Sequence, residues 1–191
     1  MNNLFEQLGP LSHLVGVWEG RKGDDIAPSD KKQNLNQPVN SKFRERMQFA
    51  ETGRVDNHEQ ILYGLRYSTT AWRLEQEAPF HEELGYWLWD KEKQQVLRCF
   101  MVPRGVTVIA GGTVAPEAKS FHLSAELGSP TYGICSNEYL HAEFKTVRYD
   151  LDITIHDEGS FTYEENTQIM IKGKNDLFQH TDSNTLKKVP S

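Results

Sequence analysis

The sequence is poor in cysteine, in basic residues and in long apolar runs, and each shortage removes a class of protein. Two cysteines, Cys99 and Cys135, among 191 residues cannot build a disulfide framework or, by themselves, a thiolate zinc site. They suit a reducing compartment, so a cytoplasmic location is expected. A formal net charge of -6 provides no general basic face for a phosphate backbone, so no nucleic-acid partner is expected. No apolar run approaches the roughly 20 residues that cross a bilayer, and the N-terminus lacks the charged start and apolar core of a secretory signal; no membrane partner is expected. There is no Gly-x-Ser-x-Gly nucleophile elbow and no Cys-x-x-Cys pair. Gly111-Gly112 is too short to cradle a phosphate and precedes no helix. No internal repeat and no βαβ alternation appears.

What is present is strand after strand. Gly16-Val-Trp18-Glu-Gly20 opens the series after a short helical segment in which Leu8, Leu11 and Leu14 recur and Pro10 interrupts. Residues 24–41 carry two prolines and many amides and are read as one long loop. From Lys42 the alternation resumes, with Phe43, Glu45, Met47 and Phe49 on one face, and Thr52-Gly53 through Asn57 is read as a turn. Gly85 to Asp90 and Val96 to Val102 form a hairpin across Lys91–Gln94. Tyr139 to Asp150 is read as strand. About ten short strands punctuated by turns predict an all-β fold. The expected architecture is a single closed antiparallel β-barrel over residues 1–191 with a short N-terminal helix. Closing a barrel by pairing its first and last strands leaves no sheet edge and an interior able to hold one small ligand.

That topology gives weight to the last strand. Thr167 to Ile171 alternates with a two-residue period, Gly173-Lys-Asn-Asp176 turns the chain, and Phe178, His180 and Asp182 then share one face. A histidine beside a phenylalanine on an inner face suits a haem ligand, and equally a core histidine satisfied by a neighbour. His81 and Glu83 point the same way on a strand, so a hydrogen bond between them is feasible, but the second histidine of a helical zinc site is missing. Trp72, Tyr86, Trp87 and Trp89 could stack on a planar ligand or simply fill core. The remaining histidines have no partner at ligand spacing.

These pieces together resemble the nitrobindin-like haem-binding β-barrel family, whose fold is similar to that of fatty-acid-binding proteins and lipocalins. The likeness spans about Leu8 to Val189. Leu8-Gly-Pro-Leu-Ser-His-Leu-Val-Gly-Val-Trp-Glu-Gly20 is similar to the family's opening. Thr70-Ala-Trp72 followed by Pro79-Phe-His81-Glu-Glu83-Leu-Gly85-Tyr86 is similar to its Thr-Trp and His-x-Glu-x-Gly-Tyr. Pro103-Arg-Gly-Val106 with Gly111-Gly112 matches a further hairpin, and Phe178-Gln-His180 stands where the family's closing strand carries its proximal histidine. The resemblance implies ferric haem b in one mouth of the barrel, with His180 on the iron and Phe178, Trp72 and His81 around the cofactor. It also implies nitric oxide binding and isomerisation of peroxynitrite to nitrate. The family's Tyr-Pro-Thr segment is absent here, so its distal wall does not carry over. The rival reading is a carrier of a fatty acid or other apolar small molecule. A homodimer is left open.

Overall fold

The computed structural model describes residues 4–29 and 37–190. Among the described residues, eleven strands close into one barrel. In chain order they are β1 (Gly16–Pro28), β2 (Pro38–Asn57), β3 (Gln60–Arg73), β4 (His81–Asp90), β5 (Gln95–Val102), β6 (Val106–Thr113), β7 (Ser120–Leu127), β8 (Gly133–Ser136), β9 (Phe144–His156), β10 (Ser160–Ile171) and β11 (Phe178–Lys188). Neighbours pair antiparallel, apart from a short parallel contact between β7 and β8. The ring closes because β1 pairs with β2 on one side and with β11 on the other. First and last strands are therefore adjacent, as the sequence predicts.

Period-two burial is what makes these segments strands. On β9, Tyr149, Leu151, Ile153 and Ile155 point inward, and on β2 Phe43, Glu45, Met47 and Phe49 do the same. One end of the barrel is plugged by α1 (Leu4–Leu8) and the 3₁₀ turn Gly9–Leu14. Leu11, Leu14 and Leu186 are completely buried, which contributes about 1.5–3 kcal/mol for each. The Trp18 Nε1–H donates to the Leu14 carbonyl at 2.7 Å, so the plug is tied to β1. Gly9 sits at φ +51, and a Cβ there would lie 2.6 Å from the Trp89 ring. Only glycine fits that turn against that indole.

Three expectations are corrected. The segment 24–41 is not one loop: β1 continues to Pro28 and β2 begins at Pro38, while residues 30–36 lie outside the described residues. The pairing of Asp24 to Pro28 with Lys42 to Pro38 satisfies the backbone, and that outweighs the weak strand propensity of Asp, Asn and Pro. Thr52 to Asn57 is not the turn either. Gly53, at φ +79, absorbs a bulge inside β2, and the chain turns at His58, φ 55. Finally, Glu138–Glu143 is a helical turn, α2, where strand was expected. The Asn137 side chain caps it by accepting from Leu140 N–H at 2.9 Å, and a local cap of this kind overrides the β-branched and aromatic residues further on.

Candidate functional site

A cavity of about 630 Å³ runs through the barrel from Leu14 at the plugged end to a rim where Phe80 and Arg104 are exposed. That volume lies inside the usual range for small-molecule sites. Its walls are mostly apolar near the rim, with Phe43, Ala71, Val106, Phe144 and Ile169. Two polar clusters interrupt them.

The deeper cluster is built around Arg98 on β5. Its guanidinium donates to Glu83 at 2.6 Å, to Glu165 at 2.9 Å and to the Tyr67 hydroxyl at 3.0 Å, and it also meets the Tyr149 hydroxyl. Arg98 and Glu83 are both buried. Burial pushes the Glu83 carboxyl up, but the Arg98 charge, with His81 and Tyr67, outweighs it and holds the group down at about 2. His81 extends the cluster through Nε2, 3.1 Å from Glu83 Oε1. Burial would lower its pKa; the hydrogen bond and charge of Glu83, with Glu165 and Asp182 behind it, push it up to about 9. Nearby, Glu45 accepts from Thr69 and Tyr163 at 3.0 Å each and from Asn184 at 3.2 Å. Among the described residues no cation compensates it, so burial raises its pKa to about 7.

The second cluster joins the first and last strands. His180 on β11 presents Nε2 to Asp25 Oδ1 on β1 at 3.0 Å and to Asp182 Oδ2 at 3.4 Å. The His180 side chain is 29% exposed and borders the cavity; that of Asp25 is 1% exposed. The other oxygen of Asp25 accepts from Arg73 at 2.5 Å and from Ser41 at 3.2 Å. Burial acts against the Asp25 charge, yet His180 and Arg73 hold its pKa below the ordinary value. For Asp182 burial wins, reinforced by Glu165 and Asp25, and its pKa rises to about 8. For His180 burial is outweighed by the Asp25 hydrogen bond and the neighbouring carboxylates, so its pKa is raised.

Of the residues singled out from the sequence, His180 and His81 line the cavity and lie in separate clusters. Phe178 is on the same face as His180, buried, opposite Ile169, but does not line the cavity. Trp72 must be corrected as a cofactor contact. It points to the outside of the barrel, where the Arg44 guanidinium lies 4.5 Å from its ring, while its neighbours Ala71 and Arg73 face in. The alternation of β3 requires this. Asp25 was missed as a site residue, as were Arg98, Glu165 and the tyrosines Tyr67 and Tyr149.

A family model described as THAP4-like, heme-binding beta-barrel domain matches residues 7–188. A protein of Leifsonia xyli subsp. xyli (strain CTCB07) named peroxynitrite isomerase is 37% identical over 86 residues, which is 44% of this chain and 36% of that protein. The aligned part thus spans about a third of that relative's length. The crystal structure of Rv2717c from M. tuberculosis superposes with a TM-score of 0.68 at 22% identity, covering 96% of this chain and 97% of that one. At that identity the likeness concerns the fold.

Proposed function

Because the chain belongs to the THAP4-like, heme-binding beta-barrel domain family, we propose that its cavity takes haem b, with His180 as the protein ligand to iron. The observation that carries the reading is His180 itself: an imidazole bordering a cavity of about 630 Å³, with one ring nitrogen held by the buried Asp25. Metal-binding histidines characteristically give one nitrogen to a carboxylate and the other to the metal, which fixes the ring and raises its basicity. Nδ1 is the nitrogen left over, since no described residue hydrogen-bonds it. The surroundings fit a flat apolar ring. Phe43, Phe80 and Ile169 exclude water, and Arg73 and Arg104 at the rim suit the acidic edge of a porphyrin. Neither cysteine is in a Cys-x-x-Cys-His pattern, which favours non-covalent haem b.

Bound there, haem iron would supply a coordination position for nitric oxide and for the isomerisation of peroxynitrite to nitrate. The chain's own contribution is to hold the ligand ring through Asp25 and Asp182 and to shield the pocket. The fatty-acid alternative gains nothing from the deep cluster. Both terminal nitrogens of Arg98 are engaged by Glu83, Glu165 and two tyrosines, so neither waits for a fatty-acid carboxylate at that depth. Titration of the purified protein with hemin should give a one-to-one Soret shift that His180→Ala removes. No shift in the unsubstituted protein would end the reading.

A further inference from the structure

We propose that Asp25, His180 and Asp182 form a binding site for a single divalent transition-metal cation of the zinc or manganese class in the haem-free protein. This goes beyond the haem reading and does not depend on it. One oxygen or nitrogen from each of the three residues lies within 4.8 Å of the other two. The two separations from His180 are those of ligands around one ion. Ligand atoms ~2.1 Å from a common metal stand ~3.0 Å apart at a right angle and ~3.4 Å apart at the tetrahedral angle. His180 Nε2 is 3.0 Å from Asp25 Oδ1 and 3.4 Å from Asp182 Oδ2. A mixed imidazole and carboxylate set is the donor chemistry of zinc, manganese and ferrous iron.

Three further features of the cluster suit an ion. The ligands sit on rigid paired strands, Asp25 directly opposite Asp182 across the β1–β11 seam. Asp25 is oriented from behind by Ser41 and Arg73, the outer support that fixes ligating carboxylates. The third feature is a route. Asp182 and Glu165 border both the interior cavity and a groove on the outer wall that also contains Asp24, Asp150, Asp152 and Glu164. Lys42 pairs with Asp24, while Arg148 and His122 pair with Asp150. Even so, carboxylates outnumber these cations around the groove, so it would concentrate cations beside the site. The register break of β1 between Glu19 and Asp24 lies along the same seam.

The test is calorimetric titration of haem-free protein with zinc chloride and, separately, manganese chloride, with circular dichroism checking that each variant is folded. One-to-one binding is expected, weakened at least tenfold by Asp182→Asn and by His180→Ala and unchanged by His122→Ala on the outer wall. Asp25→Asn should behave like Asp182→Asn if it folds. Absence of binding, or binding lost in His122→Ala and kept in Asp182→Asn, overturns the proposal. Hemin titration of the same preparations keeps the two ideas apart: a Soret shift without cation binding sinks only the cation site, and cation binding without a Soret shift sinks only the haem site.

Discussion

Glu45 offers a prediction whose size can be worked from the structure. Its carboxyl is buried inside the barrel with three neutral donors, Thr69, Tyr163 and Asn184, and no cation among the described residues. Its pKa is raised from 4.5 to about 7 in the folded chain, mainly by burial. The folded protein therefore keeps a proton that the unfolded chain releases above pH 4.5. Between pH 4.5 and 7 this group makes folding progressively less favourable as pH rises, and above 7 the loss levels off. A tenfold change in proton affinity is worth about 1.4 kcal/mol, so the full effect is about 3 kcal/mol. Glu45→Gln removes the ionisation while keeping shape and a donor. Asn184 Oδ1 is buried without a partner, and an amide rotation brings it to accept from the new amide or from a protonated Glu45. Urea denaturation should thus find the variant about as stable as the parent at pH 4.5 and more stable by about 3 kcal/mol at pH 8. A difference that does not change with pH, or a variant destabilised at pH 8, would refute this reasoning.

Other consequences follow from the same interior. Arg98→Met leaves the buried Glu83 and the partly buried Glu165 without their cation, which should cost about 3–5 kcal/mol and lower Tm by about 6–20 °C at this chain length, measured by calorimetry at pH 7. His81 should titrate near pH 9 by NMR, and Glu83→Gln should bring that midpoint down towards 6.5. The pairing stabilises the fold below pH 6.5 and is lost as pH passes 9. Because the His81 side chain is 36% exposed, solvent screening limits its share to about 1 kcal/mol. Trp72→Ala should leave the hemin titration unchanged, since the ring lies outside the barrel; loss of binding in a folded variant would contradict its placement.

The fold was legible because most strands alternate cleanly and carry their own turns. His180 was legible as an inward residue for the same reason, as was the pairing of His81 with Glu83. What stayed hidden were partners that only the closed barrel brings together. Asp25 lies 155 residues from His180 along the chain, in a stretch whose composition reads as loop. Counting in twos from the buried Trp18 would also have pointed Asp25 outward. The bulge between Gly20 and Gly23 shifts the phase, so that Gly23, Asp25 and Ala27 face in. Arg98 was concealed differently: an arginine between Leu97 and Cys99 looks like any solvated strand residue until carboxylates from β4 and β10 surround it. Trp72 misled in the opposite sense, because an aromatic beside a motif is not thereby inside the barrel.

The central claim is that the imidazole of His180 meets the iron of a haem held within the barrel. The most direct measurement is diffraction at the iron edge from crystals of the hemin-loaded protein. An anomalous peak inside the cavity, within bonding distance of a His180 ring nitrogen, is the predicted result. Iron on the outer surface, or inside the cavity but bound to another residue, would contradict it.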